Sequence, residues 1–328
     1  LLSCLTLIPS PVKNKENYMK RKITISILCM LLVYGTFLSA QETKSFSIEV
    51  QPIFQYRKST IGEYVFIHGW EDISLLSDLQ WKLSHIFLAG AGLNFSKDRF
   101  NASLSVLSGF PGAAGSMTDS DFYTSSPSPS LFSSHDASIT ALLDVCVSAG
   151  FDVVQAEKVT IQCFASVQYN ETGATSYDGY QVNYLHTIPV VQDFTGQIIS
   201  YTQYLLFSWI GSKWKIQPAQ PLLITFSMAY APFSIAKGWD IHHLRRLEFL
   251  DSMKSFYALK GGISITLSIT KALSLSVGTE GLYLPLVKGI TGVKEEGGNA
   301  FFEQNGYLGG TSLSEARFSA SVSYTFAK

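Results

Sequence analysis

Ala316-Arg317-Phe318-Ser319-Ala320-Ser321-Val322-Ser323-Tyr324-Thr325-Phe326 alternates apolar and polar residues without a break close to the C-terminus. Successive side chains of a strand point to opposite faces, so this stretch sets Phe318, Val322, Tyr324 and Phe326 against Arg317, Ser319, Ser321, Ser323 and Thr325. The same period of two recurs upstream. Phe100, Ala102, Leu104, Val106 and Phe110 alternate with Asn101, Ser103, Ser105 and Leu107. Leu259, Ile263, Ile265, Leu267 and Ile269 alternate with Lys260, Gly262, Ser264, Thr266 and Ser268, and Leu273, Leu275 and Val277 alternate with Ala272, Ser274 and Ser276. A large apolar face opposite a small polar one suits strands with lipid outside and a polar lumen inside. A soluble sandwich has the same period, so the choice rests on where the chain is sent.

That destination is written near the start. Met19-Lys20-Arg21-Lys22 precedes the apolar run Ile23 to Leu38, and Ser39-Ala40 gives way to Gln41-Glu42-Thr43-Lys44. A basic segment, an apolar segment and a small residue at the cut read as a secretory signal peptide over 19–40, with 1–18 as translated upstream sequence. After Ala40 no apolar run is long enough for a membrane helix. The 328 residues are 46% hydrophobic and 15% charged with a formal net charge of −1, which excludes a basic nucleic-acid binder and an acidic disordered chain.

Turn signals divide residues 41–328 into about ten strands. Short connections are expected near Ser96 to Arg99, Asp152 to Lys158, Gly211 to Gln220 and Thr270-Lys271. Long ones are expected near Gly62 to Ile73, Asp119 to Asp136, Glu171 to Thr195, Gly238 to Ser252 and Lys288 to Thr311. The reading is therefore all-β: a ten-stranded antiparallel transmembrane β-barrel in a bacterial outer membrane, with short periplasmic turns and long extracellular loops. Trp70, Trp81, Trp209, Trp214 and Trp239 are expected in the interfacial aromatic belts. Gly90-Ala91-Gly92 lacks a third glycine and sits inside a strand, which points to close packing and not to a nucleotide loop. Cys146 and Cys163 fall on opposite faces by parity, so they are expected to be unpaired.

Two acidic clusters then lie on the outward rim. Asp119 and Asp121 are two apart, so on a strand both face the same way, and Asp240 and His242 share the same spacing. A carboxylate beside an imidazole orients it and makes it more basic, so the imidazole can take a proton from water. A neighbouring carboxylate pair can position that water or share a proton and support a developing oxyanion. Ser134-His135-Asp136 lists a nucleophilic triad, but consecutive residues cannot assemble that geometry. His68, His85, His186 and His243 lack metal-ligand spacing, so neither metal nor cofactor is expected.

Met117-Thr118-Asp119-Ser120-Asp121-Phe122 and Asp240-Ile241-His242 resemble the two catalytic stretches of the omptin family of outer-membrane endopeptidases, with Phe122 where that family usually has Trp. Ser77-Asp78-Leu79-Gln80-Trp81-Lys82-Leu83 and the ending Ser321 to Phe326 are similar too. The resemblance implies a hydrolase in which Asp240-His242 and Asp119-Asp121 activate water, acting on polypeptides at the cell surface, host proteins among them. It also implies a preference for basic residues through Glu63 and an Asp two residues before the dyad. Gly238 stands there instead, leaving one acidic wall. The family's basic lipopolysaccharide-gripping cluster is not recognisable, and Glu171 falls near one of its arginines, so outer-membrane lipid is expected as surroundings. A non-catalytic omptin-like barrel serving as adhesin or structural protein, and a diffusion pore, are the competing readings.

Overall fold

The computed structural model describes residues 46–68, 73–124, 127–298 and 300–327, so the expected signal peptide, the segment before it and Trp70 lie outside the described residues. Twelve strands follow one another: β1 (Phe46–His68), β2 (Ile73–Lys97), β3 (Phe100–Gly109), β4 (Gly112–Asp121), β5 (Leu131–Gln155) and β6 (Val159–Asn183), then β7 (Val190–Ala219), β8 (Leu222–His242), β9 (Leu247–Lys254), β10 (Ala258–Ser268), β11 (Leu273–Glu295) and β12 (Phe302–Ala327). All pairings are antiparallel, and β1 pairs with both β2 and β12, which closes the sheet. β3 and β4 lie end to end between β2 and β5, split at Phe110-Pro111. β9 and β10 lie end to end between β8 and β11, split where Ser255 takes φ 59°. Twelve segments therefore make ten staves, and the expected count of ten is the count of staves.

The alternation does what its sequence says. Phe318, Val322, Tyr324, Phe326, Ile263, Ile265, Leu267, Leu275, Val277, Leu104 and Val106 are all exposed on the outer surface, while Arg317 and Ser323 are buried. Exposed apolar side chains in a closed barrel have lipid as their natural solvent. Cys163 faces out, Cys146 does not, and both are free.

Several expectations need correcting. The long loops are mostly strand: β7 alone has 30 residues, where a tilted stave crosses a bilayer in about 9–11. Beyond the lipid both strand faces are wet or functional, so the period of two fades while the hydrogen-bonded ladder continues. Gly211 to Gln220 is not a turn, because β7 runs through it to Ala219 and the chain reverses at Gln220-Pro221. Gly211 is there for close approach: a Cβ would sit 2.8 Å from Phe164 Cζ and collide with the Met228 carbonyl. Trp81 and Trp209 are buried in the lumen, contrary to the expectation, whereas Trp214 and Trp239 are exposed.

The lumen is also less polar than expected. Trp81, Leu83, Leu88, Met117, Leu205, Phe207, Leu282 and Leu284 fill it as an apolar plug. Further from the mouth that holds Asp240 and His242, Asp144 Oδ2 accepts from Arg57 and, at 3.2 Å, lies by Arg317 Nη1. Arg317 also reaches Glu315 and Glu280, and Arg57 lies 3.7 Å from Glu315. Gln168 joins this network to Lys260 and to Trp209 Nε1. Such side chains close a barrel of this size to bulk flow. Breaking a buried pair strands the remaining charge, at a cost of about 3–5 kcal/mol. Asp144→Ala is thus expected to destabilise the barrel by about that amount, read as a lower urea midpoint for the folded band on unheated gels.

Candidate active site

The outward apolar residues of β8 run from Phe226 through Met228, Tyr230 and Phe233 to Ile235. Asp240 and His242 come after them, on the part of β8 that rises beyond the lipid. Asp240 stands opposite Tyr201 of β7 and Phe249 of β9, and His242 opposite Ile199 and Leu247. The spacing of two turns both inward. Asp240 Oδ2 accepts from His242 Nε2 at 2.6 Å, and Phe249 packs its edge against the imidazole with ring centres 5.2 Å apart. Ladder, carboxylate and ring thus fix the imidazole from three sides.

Asp119 and Asp121 come from β4, four staves away, where they stand opposite Leu79 and Ser77 of β2. Ser77 Oγ donates to Asp119 Oδ1 at 3.1 Å, and the Tyr123 hydroxyl donates to Asp121 Oδ2 at 3.0 Å. Arg245, on the β8–β9 connection, places Nη2 3.6 Å from Asp121 Oδ2. Arg245 is half exposed, so this contact is screened and contributes little to stability.

The electrostatics set the two sides apart. Burial, and then the charge of Asp121, push Asp119 up to about 7, against the opposing pull of His242, Arg245 and Ser77. Burial by itself would lower His242, but the charge and hydrogen bond of Asp240 overcome it and hold the imidazole above its ordinary value. Asp119 and His242 act on each other's charge across the mouth, which brings all four sequence-derived site residues into one cleft.

Glu63 belongs to the same cluster. It lies on β1 opposite Leu79 and Thr311 and is 4% exposed. Burial foremost, then Asp240 and Asp251, raise its carboxyl well above the usual range. Asp251 is a residue that sequence reading missed; it lies on β9 opposite Gly238 and Thr291, and burial holds it at about 7. Tyr201, also missed, stacks on Trp81 with ring centres 5.8 Å apart and sits amid Glu63, Asp251 and Asp240. His135 stands on β5 opposite Met117; its Nδ1 donates to the Asp178 carbonyl and its ring packs on Phe194. Among the described residues no group of three His, Cys, Asp or Glu side chains is arranged to hold a metal ion.

The class defined here is a closed ten-stave β-barrel with a carboxylate–imidazole cluster in one of its mouths. The sequence pattern described as "Omptin family" matches residues 58–326, and the chain belongs to that family of outer-membrane proteases. Its fold is similar to that of the outer membrane protease OmpT from Escherichia coli, at TM-score 0.78 and 16% identity over 88% of this chain and 100% of that one. The translocator domain of the autotransporter NalP from Neisseria meningitidis matches at TM-score 0.33 and 10% identity, covering 95% and 98% of the two chains. No curated protein sequence matches the chain.

With Asp240 raising it, His242 is expected to titrate above the ordinary imidazole value of about 6.5. Asp240→Asn removes the charge that opposes burial, so the midpoint should fall below that of the wild type. NMR of the His242 ring protons in both proteins checks the direction, and an unshifted midpoint contradicts the assigned partnership.

Proposed function

We propose that this barrel is an endopeptidase that cleaves polypeptides at the cell exterior through a water activated by His242, without a covalent intermediate. The observation that carries the reading is the 2.6 Å bond by which buried Asp240 holds His242 in the mouth opposite Asp119. That bond takes up Nε2, so the proton of the attacking water goes to Nδ1. Asp240 then lies against the imidazolium that forms and stabilises it.

The other side of the cleft supplies the complementary chemistry. Asp119 near 7 carries a proton in part of the population at neutral pH, and a protonated carboxyl donates to the oxygen that gains charge as the carbonyl becomes tetrahedral. Asp121, bonded to Tyr123, supplies the neighbouring charge that keeps that proton on Asp119. Glu63, one wall further in, is the group that receives a basic substrate side chain. A non-enzymatic adhesin has no use for an imidazole clamped in this way.

The test is cleavage of a mixed peptide library by the barrel refolded into detergent or lipid. Loss of a general base costs about 10²–10⁴-fold, so His242→Ala and Asp119→Ala are each expected to lower kcat/KM by at least two orders of magnitude. A folded wild type that leaves the whole library intact favours the adhesin.

A further inference from the structure

The hairpin of β6 and β7 outreaches the hairpin of β8 and β9. β6 and β7 stay paired out to Asn183 and Val190, whereas the ladder between β7 and β8 stops at Ile199 and His242. One more bond follows, from the His243 N–H to the Ile198 carbonyl at 3.0 Å, and the chain then turns over 243–246 into β9. Among the described residues no strand pairs with that side of β7 between Val190 and Gln197. The wall of the barrel thus ends in a free strand edge whose foot stands beside the dyad.

The edge is open and firmly held. Val190 is 51% and Val191 63% exposed, and a Cβ on Gly196 would meet nothing within 4 Å. Behind it, β6 pairs along its length, and at the bulge between the two strands Gly196, at φ 88°, donates its N–H to Asp178 Oδ1 at 2.7 Å. At its foot, Gln197 Nε2 and Ser200 Oγ each lie 2.9 Å from His243 Nε2, which ties the edge to the residue after His242. Open edges are ordinarily guarded by Lys or Pro, and the stretch Val190-Val191-Gln192-Asp193-Phe194-Thr195-Gly196-Gln197 has neither.

We infer that this edge of β7 docks an extended segment of the polypeptide substrate as an added strand and leads it to His242. The identity of the occupant rests on the proposed peptidase reading. Unpaired main-chain N–H and C=O groups bind another extended chain whatever its side chains, which suits an enzyme that must hold a peptide bond still before cutting it. At about 3.3 Å per residue the stretch is long enough for several such bonds. Its position selects the substrate as occupant: a chain that leaves the edge at Ile198 arrives where His242 stands, one register step away.

The probe is a short peptide of alternating valine and threonine, together with copies that each carry one N-methyl group on a successive peptide bond. Binding is measured with the folded His242→Ala barrel, or with Asp119→Ala should that variant not refold. An added strand uses the N–H of every second residue, so N-methylation is expected to weaken Kd about two- to tenfold at alternate positions and little in between. Hydrogen exchange of the amides within Val190 to Gln197 should slow when the parent peptide binds. No binding, a loss without alternation, or protection confined to other parts of the barrel overturns the inference. Protection of the same amides without peptide, rising with protein concentration, makes the occupant a second copy of the chain and also overturns it. Alternation and edge protection while the wild type leaves the mixed peptide library uncut support the docking edge and sink only the peptidase.

Discussion

Inside hydrocarbon every backbone N–H and C=O must find its partner within the protein, and that constraint shapes this molecule from end to end. It is met by closure: β1 pairs along its length with β12 on one side and β2 on the other, so no edge meets lipid. Closure in turn forces alternation on each stave, which is why Phe318 and Val322 face out while Arg317 and Ser323 face in. It also creates an interior that must be filled. The protein fills it with an apolar plug around Trp81 and Phe207 and with the network of Arg57, Asp144, Glu315 and Arg317.

The same ladder gives the candidate site its rigidity. Asp119, Asp121, Asp240 and His242 sit on paired strands above the lipid and not on loops, so each side chain inherits its direction from a hydrogen-bonded register. Chemistry that depends on a 2.6 Å contact needs that precision. Asp119 faces His242 because β4 and β8 stand on different walls of one closed sheet. No local sequence feature brings them together.

Legibility followed the same physics. Where lipid lies outside, a strand is readable from its own residues, and the stretches around Leu104, Ile265, Val277 and Val322 were all placed on the correct face. Above the lipid the period fades, so Gly238 to Ser252 read as loop although most of it is β8 and β9. Gly211 misled because glycine marks a turn and a close approach alike, and only the packing of Phe164 and Met228 distinguishes them. Trp81 and Trp209 misled because belt and plug both favour large aromatic rings. Asp119, Asp121, Asp240 and His242 were singled out by the resemblance to the omptin stretches, and their spacing of two puts each pair on one face whatever the strand boundaries. Asp251 was missed because its partnership with Gly238 appears only once the hairpin is counted outward from its tip, through His242 with Leu247 and Asp240 with Phe249.

Two sets of buried charge divide the labour along the barrel axis. In the lower set, Asp144, Glu315 and Glu280 face Arg57 and Arg317, every guanidinium is in contact with a carboxylate, and Lys260 lies 4.6 Å over the Trp209 ring. In the upper set, Asp240 alone holds the imidazole, and Glu63, Asp240 and Asp251 each leave one buried side-chain oxygen without a donor. Each orphaned acceptor costs about 1–3 kcal/mol, a burden that a fold of ordinary marginal stability sustains only if the rest of the structure compensates.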